Sequence, residues 1–212
     1  MDDGPTDTRG GDNPLDMAKA VAAEKWREEI IETLTPILSR AAQVTARDAA
    51  DALGSTVAGA SAGIGAAVLS ATSVAAETIR TFHDYLIGML NAEQHAGAGL
   101  EDLVNELTRL LQEDAAEVIA RVAEGAATAT VNGAADAVAA ASGPSITRTW
   151  QTRRDDRVRP AHEAAEGSTL PVNQPFEMEG WPVRYPGDPL APLSLTANCR
   201  CRLLYHATGG EE

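Results

Sequence analysis

The reading turns on LEDLVNELTRLLQEDAAEVIARVAEGAATATVNGAADAVAAASGP, Leu100–Pro144. Leu100, Leu103, Val104, Leu107, Leu110 and Leu111 recur at i, i+3, i+4 and i+7, the template of an amphipathic helix. A further helix is expected over about 113–141, where Val118, Ile119, Val122, Val131 and Val138 are spaced by alanines. At Ser142-Gly143-Pro144 the pattern stops, because proline cannot continue a helix.

Upstream the chain reads the same way. Asn13-Pro14 is a helix start, Asn as cap and Pro at the first helical position. Ala22, Trp26, Ile30 and Leu34 then keep one face apolar. Pro36 predicts a kink or a restart, and residues 37–53 continue with Leu38, Ala41, Ala42 and Ala49. Residues 74–90 carry Ile79, Phe82, Leu86, Met89 and Leu90, and 91–99 read as a linker. The expected fold is mainly α: a long helical hairpin or loose bundle over 14–143. Much of the 44% hydrophobic fraction is alanine and aromatics are only 4%. Each alanine buries little apolar area, so the core should be thin and gain stability from a partner.

Between Asp51 and Glu77 no residue is charged, a run of 25. That is long enough to cross a bilayer, which needs roughly 20, and Gly59 and Gly63 form the G-x-x-x-G of paired membrane helices. Yet the only large apolar side chains are Leu53, Val57, Ile64, Val68, Leu69 and Val74. No membrane is expected; a tightly packed small-residue surface or a hinge fits better.

After Pro144 the composition shifts. Residues 1–143 hold 9 basic and 22 acidic side chains, whereas 144–212 hold 8 and 9. Ile146–Trp150 alternates like a strand, Arg157–Glu166 could form a short helix, and Asn198–Tyr205 alternates again as a closing strand. Turn residues crowd the span between. Residues 144–206 should therefore form a small α+β module of short strands and turns. Residues 1–13, acidic and Gly/Pro-rich, read as a disordered tail, and 207–212 as a second short tail.

Three separated pieces of the module stand out. The first holds Trp150, Asp155, Arg157, Arg159, His162 and Gly167. The second holds Pro171-Val172, Phe176 and the run Tyr185-Pro186-Gly187-Asp188-Pro189. The third is Asn198-Cys199-Arg200-Cys201. In this order and spacing, over about 146–202, they resemble the phage Mu F-like family of minor head, or head-morphogenesis, proteins of tailed bacteriophages and prophages. The resemblance implies a virion protein present in few copies, made in the host cytoplasm and placed at the portal vertex or capsid interior. Its partners would be the portal or the major capsid protein, and it would act in head assembly with a bearing on DNA packaging or ejection.

Read from the residues alone, the third piece has several outcomes. In a strand Cys199 and Cys201 point to one face and Arg200 and Arg202 to the other. With His162 they would offer three soft ligands for zinc, with Asp155 or His206 as a fourth. They could equally be packed thiols, while a disulfide between residues two apart would be strained. Asp155 would pair with Arg159 on a helix start or cap that helix. Arg148, Arg153, Arg154, Arg157 and Arg159 should form a solvated face, with one or two of them clamping the turn-rich loop, or alternatively a contact for portal acids or DNA phosphates. Tyr185 to Pro189 should be a rigid turn with Tyr185 inward, and Trp150, Phe176 and Trp181 the core of the module.

No hydrolase signature, phosphate loop or carboxylate pair occurs, so no enzymatic activity is expected. The net charge of −14 argues against tight DNA binding, which gains affinity by neutralising phosphates. A DNA-handling protein using the Arg148–Arg159 cluster, or a membrane-active ejection protein using 52–76, are the alternatives.

Overall fold

A computed structural model describes residues 14–208; the expected N-terminal tail and the last four residues lie outside the described residues. Three long helices come first: α1 (Pro14–Ala52), α2 (Ser61–His95) and α3 (Leu100–Ala141). A single 3-10 turn, Ala58–Ala60, leads into α2. The rest is short: β1 (Ile146–Gln151), α4 (Pro160–Ala165), β2 (Thr169–Pro171), β3 (Phe176–Met178), β4 (Trp181–Val183), α5 (Leu193–Thr196) and β5 (Arg202–Ala207). The expected mainly α architecture with a small strand-and-turn module is what the chain adopts.

The helices form a three-helix bundle. Leu38, Ala42, Ala46 and Ala50 of α1 recur every four residues and meet Ile64, Val68, Ala71 and Ala75 of α2 and Ala126, Ala129, Ala134 and Val138 of α3. Alanine dominates this core, so backbones approach closely while little apolar area is buried per residue. Between α2 and α3 the contacts step by four in opposite directions: Gly59 against Ala141, Gly63 against Ala137, Ala67 against Gly133. A Cβ on Gly63 would lie 2.8 Å from that of Ala137, and one on Gly133 would lie 2.7 Å from that of Ala67. The G-x-x-x-G spacing thus serves helix pairing inside the bundle. The segment Ala58–Met89 is long and apolar enough to cross a membrane by length and composition, its most apolar 18-residue stretch having a mean hydropathy of 1.4. Ile64, Val68, Ala71 and Ala75 within it face the bundle core.

Three helical expectations are corrected. Pro36 does not interrupt α1. It is exposed, as is Glu32, so the Glu32 carbonyl that loses its helical donor can turn to water. Residues 100–141 are one helix, not two, for no glycine or proline occurs between Leu100 and Glu124. The expected linker is shorter than 91–99, since α2 runs to His95.

In the module, β1 is the centre of an antiparallel sheet of order β2-β1-β5, and β3 and β4 form a separate hairpin. Ile146, Arg148 and Trp150 share the inward face of β1. Trp150, Phe176, Met178, Val183, Tyr185, Leu195 and Leu203 build a second core. Trp181, expected among them, is 51% exposed. It begins β4 directly after the Gly180 turn, at the tip of the β3–β4 hairpin, where it pairs with the buried Met178 but is itself left largely uncovered.

Candidate metal centre

His162 is carried by α4, which Pro160 starts at its first turn. The side chain is 2% exposed. Its Nδ1 lies 3.6 Å from the Cys199 sulfur and 3.4 Å from the Cys201 sulfur. Both cysteines are reduced and buried. The three donor atoms all lie within 4.8 Å of one another. A tetrahedral ion with ordinary zinc–sulfur and zinc–nitrogen bonds would hold nitrogen and sulfur about 3.6 Å apart. The spacing therefore fits a shared metal as well as it fits a hydrogen-bonded thiol–imidazole cluster.

The local fold explains how the cysteines converge. Asn198-Cys199-Arg200-Cys201 is not a strand, contrary to the alternation read from sequence; β5 starts only at Arg202. Asn198 takes a left-handed backbone, φ 53°, a conformation asparagine tolerates better than most residues. Both sulfurs nonetheless fall on the inner side, since Cys199 and Cys201 are buried. Arg159, the residue before α4, donates to the Ala197 carbonyl and ties the two segments together.

The surroundings suit one negative sulfur, with one proton shared between the two thiols. Cys199 is held well below the ordinary thiol range, first because the Cys201 S–H hydrogen-bonds to it, with His162 adding to this against the penalty of burial. Cys201 is pushed up, first by that shared proton and then by burial, while the Arg159 charge acts in the opposite sense. His162 Nε2 and the Trp150 indole N–H are buried without hydrogen-bond partners. The two rings meet edge to face, centroids 5.4 Å apart, and Phe176 lies against Trp150 in the same way at 5.2 Å.

Neither proposed fourth ligand is present. Asp155 accepts from the Arg200 guanidinium at 2.8 Å and from the Arg157 amide at 3.2 Å. It neither caps α4 nor pairs with Arg159, because α4 starts only at Pro160. His206 is exposed, paired with Thr147 in the β1–β5 ladder, beyond the Trp150–Leu203 rung. No fourth His, Cys, Asp or Glu among the described residues lies within 4.8 Å of all three donors. A cavity of about 10 Å³ adjoins the triad, lined by Arg153, Arg157, Arg159 and Arg200 among others.

The arginine cluster does not act as one surface. Arg148 is 1% exposed and forms an ion pair with Asp136 of α3. Its other terminal nitrogen donates to the Gln174 carbonyl at 2.8 Å, and its guanidinium lies over the Phe176 ring. The Tyr205 hydroxyl also donates to Asp136 at 3.4 Å. Burial pushes the Asp136 carboxyl up, against the pull of Arg148. Arg154 pairs with Glu166, whose second oxygen accepts from the Thr152 amide.

The Tyr185–Pro189 run is the rigid turn its sequence indicated. The Asp188 amide donates to the Tyr185 carbonyl at 3.0 Å, and the Asp188 carboxylate accepts from the Arg184 and Leu190 amides at 3.0 and 3.1 Å. The turn sits directly on α3. Gly187 has φ 81°, and a Cβ there would lie 3.0 Å from the Ala129 backbone. The Tyr185 hydroxyl reaches Gly133, and burial pushes it up to about 12. At the other motif glycine, Gly167, φ is 74° and the amide donates to the Trp150 carbonyl at 2.9 Å.

Sequence reading missed Asp136, Ala129 and Gly133 on α3. One signal was available for the first: Arg148 shares the inward face of β1 with Ile146 and Trp150, and a charge there requires a buried acid.

The module is thus a thiol–imidazole clasp and a rigid turn, both set against the end of a long helix. Residues 91–204 match the profile of the family described as Phage Mu protein F like protein, more than half of the chain, and the chain belongs to that family. It is accordingly a phage head-morphogenesis protein, at work in phage assembly among other capsid components. No curated protein and no solved structure matches the chain.

Proposed function

We propose that the chain is a minor capsid protein, present in few copies, that docks at the portal vertex or on the capsid interior during head assembly. The family match over 91–204 carries this reading. A rigid module fixed to a long helical bundle supports it, for such a body offers surfaces at set positions. The role is structural rather than enzymatic. Cross-linking mass spectrometry on purified particles tests it: links to the portal or major capsid protein are expected. Particles without the chain would leave a transient assembly factor, and links only to tail components would overturn the placement.

A DNA-handling role in packaging has less support. Of the cluster, Arg148 is buried and Arg154 and Arg159 are engaged, which leaves Arg153 and Arg157 to meet phosphates. A membrane-active role for 52–76 would require the bundle core to open.

We further propose zinc at His162, Cys199 and Cys201. Two thiolates and an imidazole are the donor set zinc favours. The ion would bind α4 to the turn before β5 and so close the module. Elemental analysis of the purified full chain should give one zinc per chain, and none would leave packed thiols.

A further inference from the structure

We infer that the metal centre is completed from outside the chain: its fourth ligand is a carboxylate supplied from solution or by a neighbouring protein. This rests on the zinc reading above. A structural zinc site is closed by four protein ligands, whereas three leave a position for an external one. Here the described residues supply three, and the sequence candidates for a fourth are otherwise engaged or distant. The cavity beside the triad, about 10 Å³, is about one water-sized probe in volume. It has room for one further coordinating atom beside the triad.

The walls select the charge of that atom. Arg153, Arg157, Arg159 and Arg200 all line the cavity. Arg159 and Arg200 are already engaged, with the Ala197 carbonyl and with Asp155. Arg153 and Arg157 are exposed, and among the described residues their guanidinium groups make no hydrogen bond or ion pair. A neutral centre of one zinc and two thiolates does not require four guanidinium groups around it. Arg153 and Arg157 suit an incoming carboxylate, since guanidinium recognises it through paired hydrogen bonds. Arg153 and Arg200, with the two cysteines, also border a wider basin of about 740 Å³, lined as well by Arg154, Arg202 and the outer side of α3 at Glu124 to Asn132. An acidic side chain on a neighbouring protein can therefore approach the triad from the surface.

Cobalt in place of zinc gives the test, because its visible spectrum reports ligand number and type. The full chain loaded with cobalt should show the intense bands of a four-coordinate centre with sulfur ligands. Acetate should shift those bands saturably, and so should the peptide acetyl-Gly-Glu-Gly-amide. Tighter binding of the peptide assigns the ligand to a protein side chain, and equal binding assigns it to free anions. The double variant Arg153→Gln/Arg157→Gln should weaken acetate binding by about tenfold, some 1.4 kcal/mol, and leave cobalt affinity within about twofold. Failure of the full chain to take up cobalt or zinc removes the zinc reading itself. A sulfur-bound tetrahedral spectrum that neither acetate nor the peptide moves leaves zinc in place and overturns the open position.

Discussion

Arg148 shows what a single buried charge demands of the chain around it. Its ion pair with Asp136 links β1 to α3, and removal of one partner strands the other in a low-dielectric site. Arg148→Met should destabilise by about 3–5 kcal/mol, measured by urea unfolding. The double change Arg148→Met/Asp136→Leu should recover most of that loss, because no unpaired charge is left behind. Cys201→Ala separates the two outcomes at the triad. Without metal the loss should be about 1–2 kcal/mol, ordinary for a point change; with metal it should be larger and matched by a chelator, since metal binding is then part of the folding free energy. Glu166 adds a pH dependence. Its carboxyl is held below the ordinary 4.5, first by the Thr152 amide. A carboxyl lowered in the folded state adds stability above its unfolded pKa and loses it as pH falls through the folded one. Stability should therefore drop below about pH 4.5, and Glu166→Gln should flatten that part of the curve. Of these residues, the cysteines and His162 were legible because the motif places them in sequence. Asp136 was not: it lies on a helix face, at no fixed spacing from Arg148, and only the fold brings the two together.

Among the elements, the pairing of α2 with α3 has the sharpest consequence. Gly63 and Gly65 are two residues apart on one helix and differ in what a methyl group would meet. At Gly63 it would strike Ala137, whereas at Gly65 nothing lies within 4 Å. Gly65→Ala should raise stability by up to about 1 kcal/mol through helix propensity. Gly63→Ala should lower it in spite of the same propensity gain, because overpacking typically costs about 1–3 kcal/mol. Paired thermal melts would check both, and equal shifts would show that the helices are not closely packed there. The helices themselves were readable from apolar periodicity. Their bounds were less so, since a proline on an exposed face and a mid-helix run of acids break the pattern without breaking the helix. The Asn198–Cys201 segment misled in the other direction. It alternates like a strand in sequence, but it starts from a left-handed Asn198 and pairs with no neighbouring strand.

At the scale of the molecule, the net charge of −14 opposes association with a polyanion, and the cluster that could offset it is divided by burial and ion pairing. The full chain should bind duplex DNA weakly or not at all at physiological salt. Salt-sensitive retention on a DNA column would contradict this.

The module lies along α3 from Val118 onward, as shown by Arg148 on Asp136, Gly187 on Ala129 and the groove that Val118 to Ala129 share with Leu193 to Asn198. Residues 100–117 of α3 continue past it, about 27 Å at 1.5 Å per residue. The far parts of α1 and α2 run alongside, where the Trp26 and His83 rings meet at a tilt of 51°. Where one partner holds its tip and another holds the module, the bundle keeps the two a set distance apart. Removing whole turns from all three helices beyond the module would shorten that distance and leave both gripping surfaces as they are.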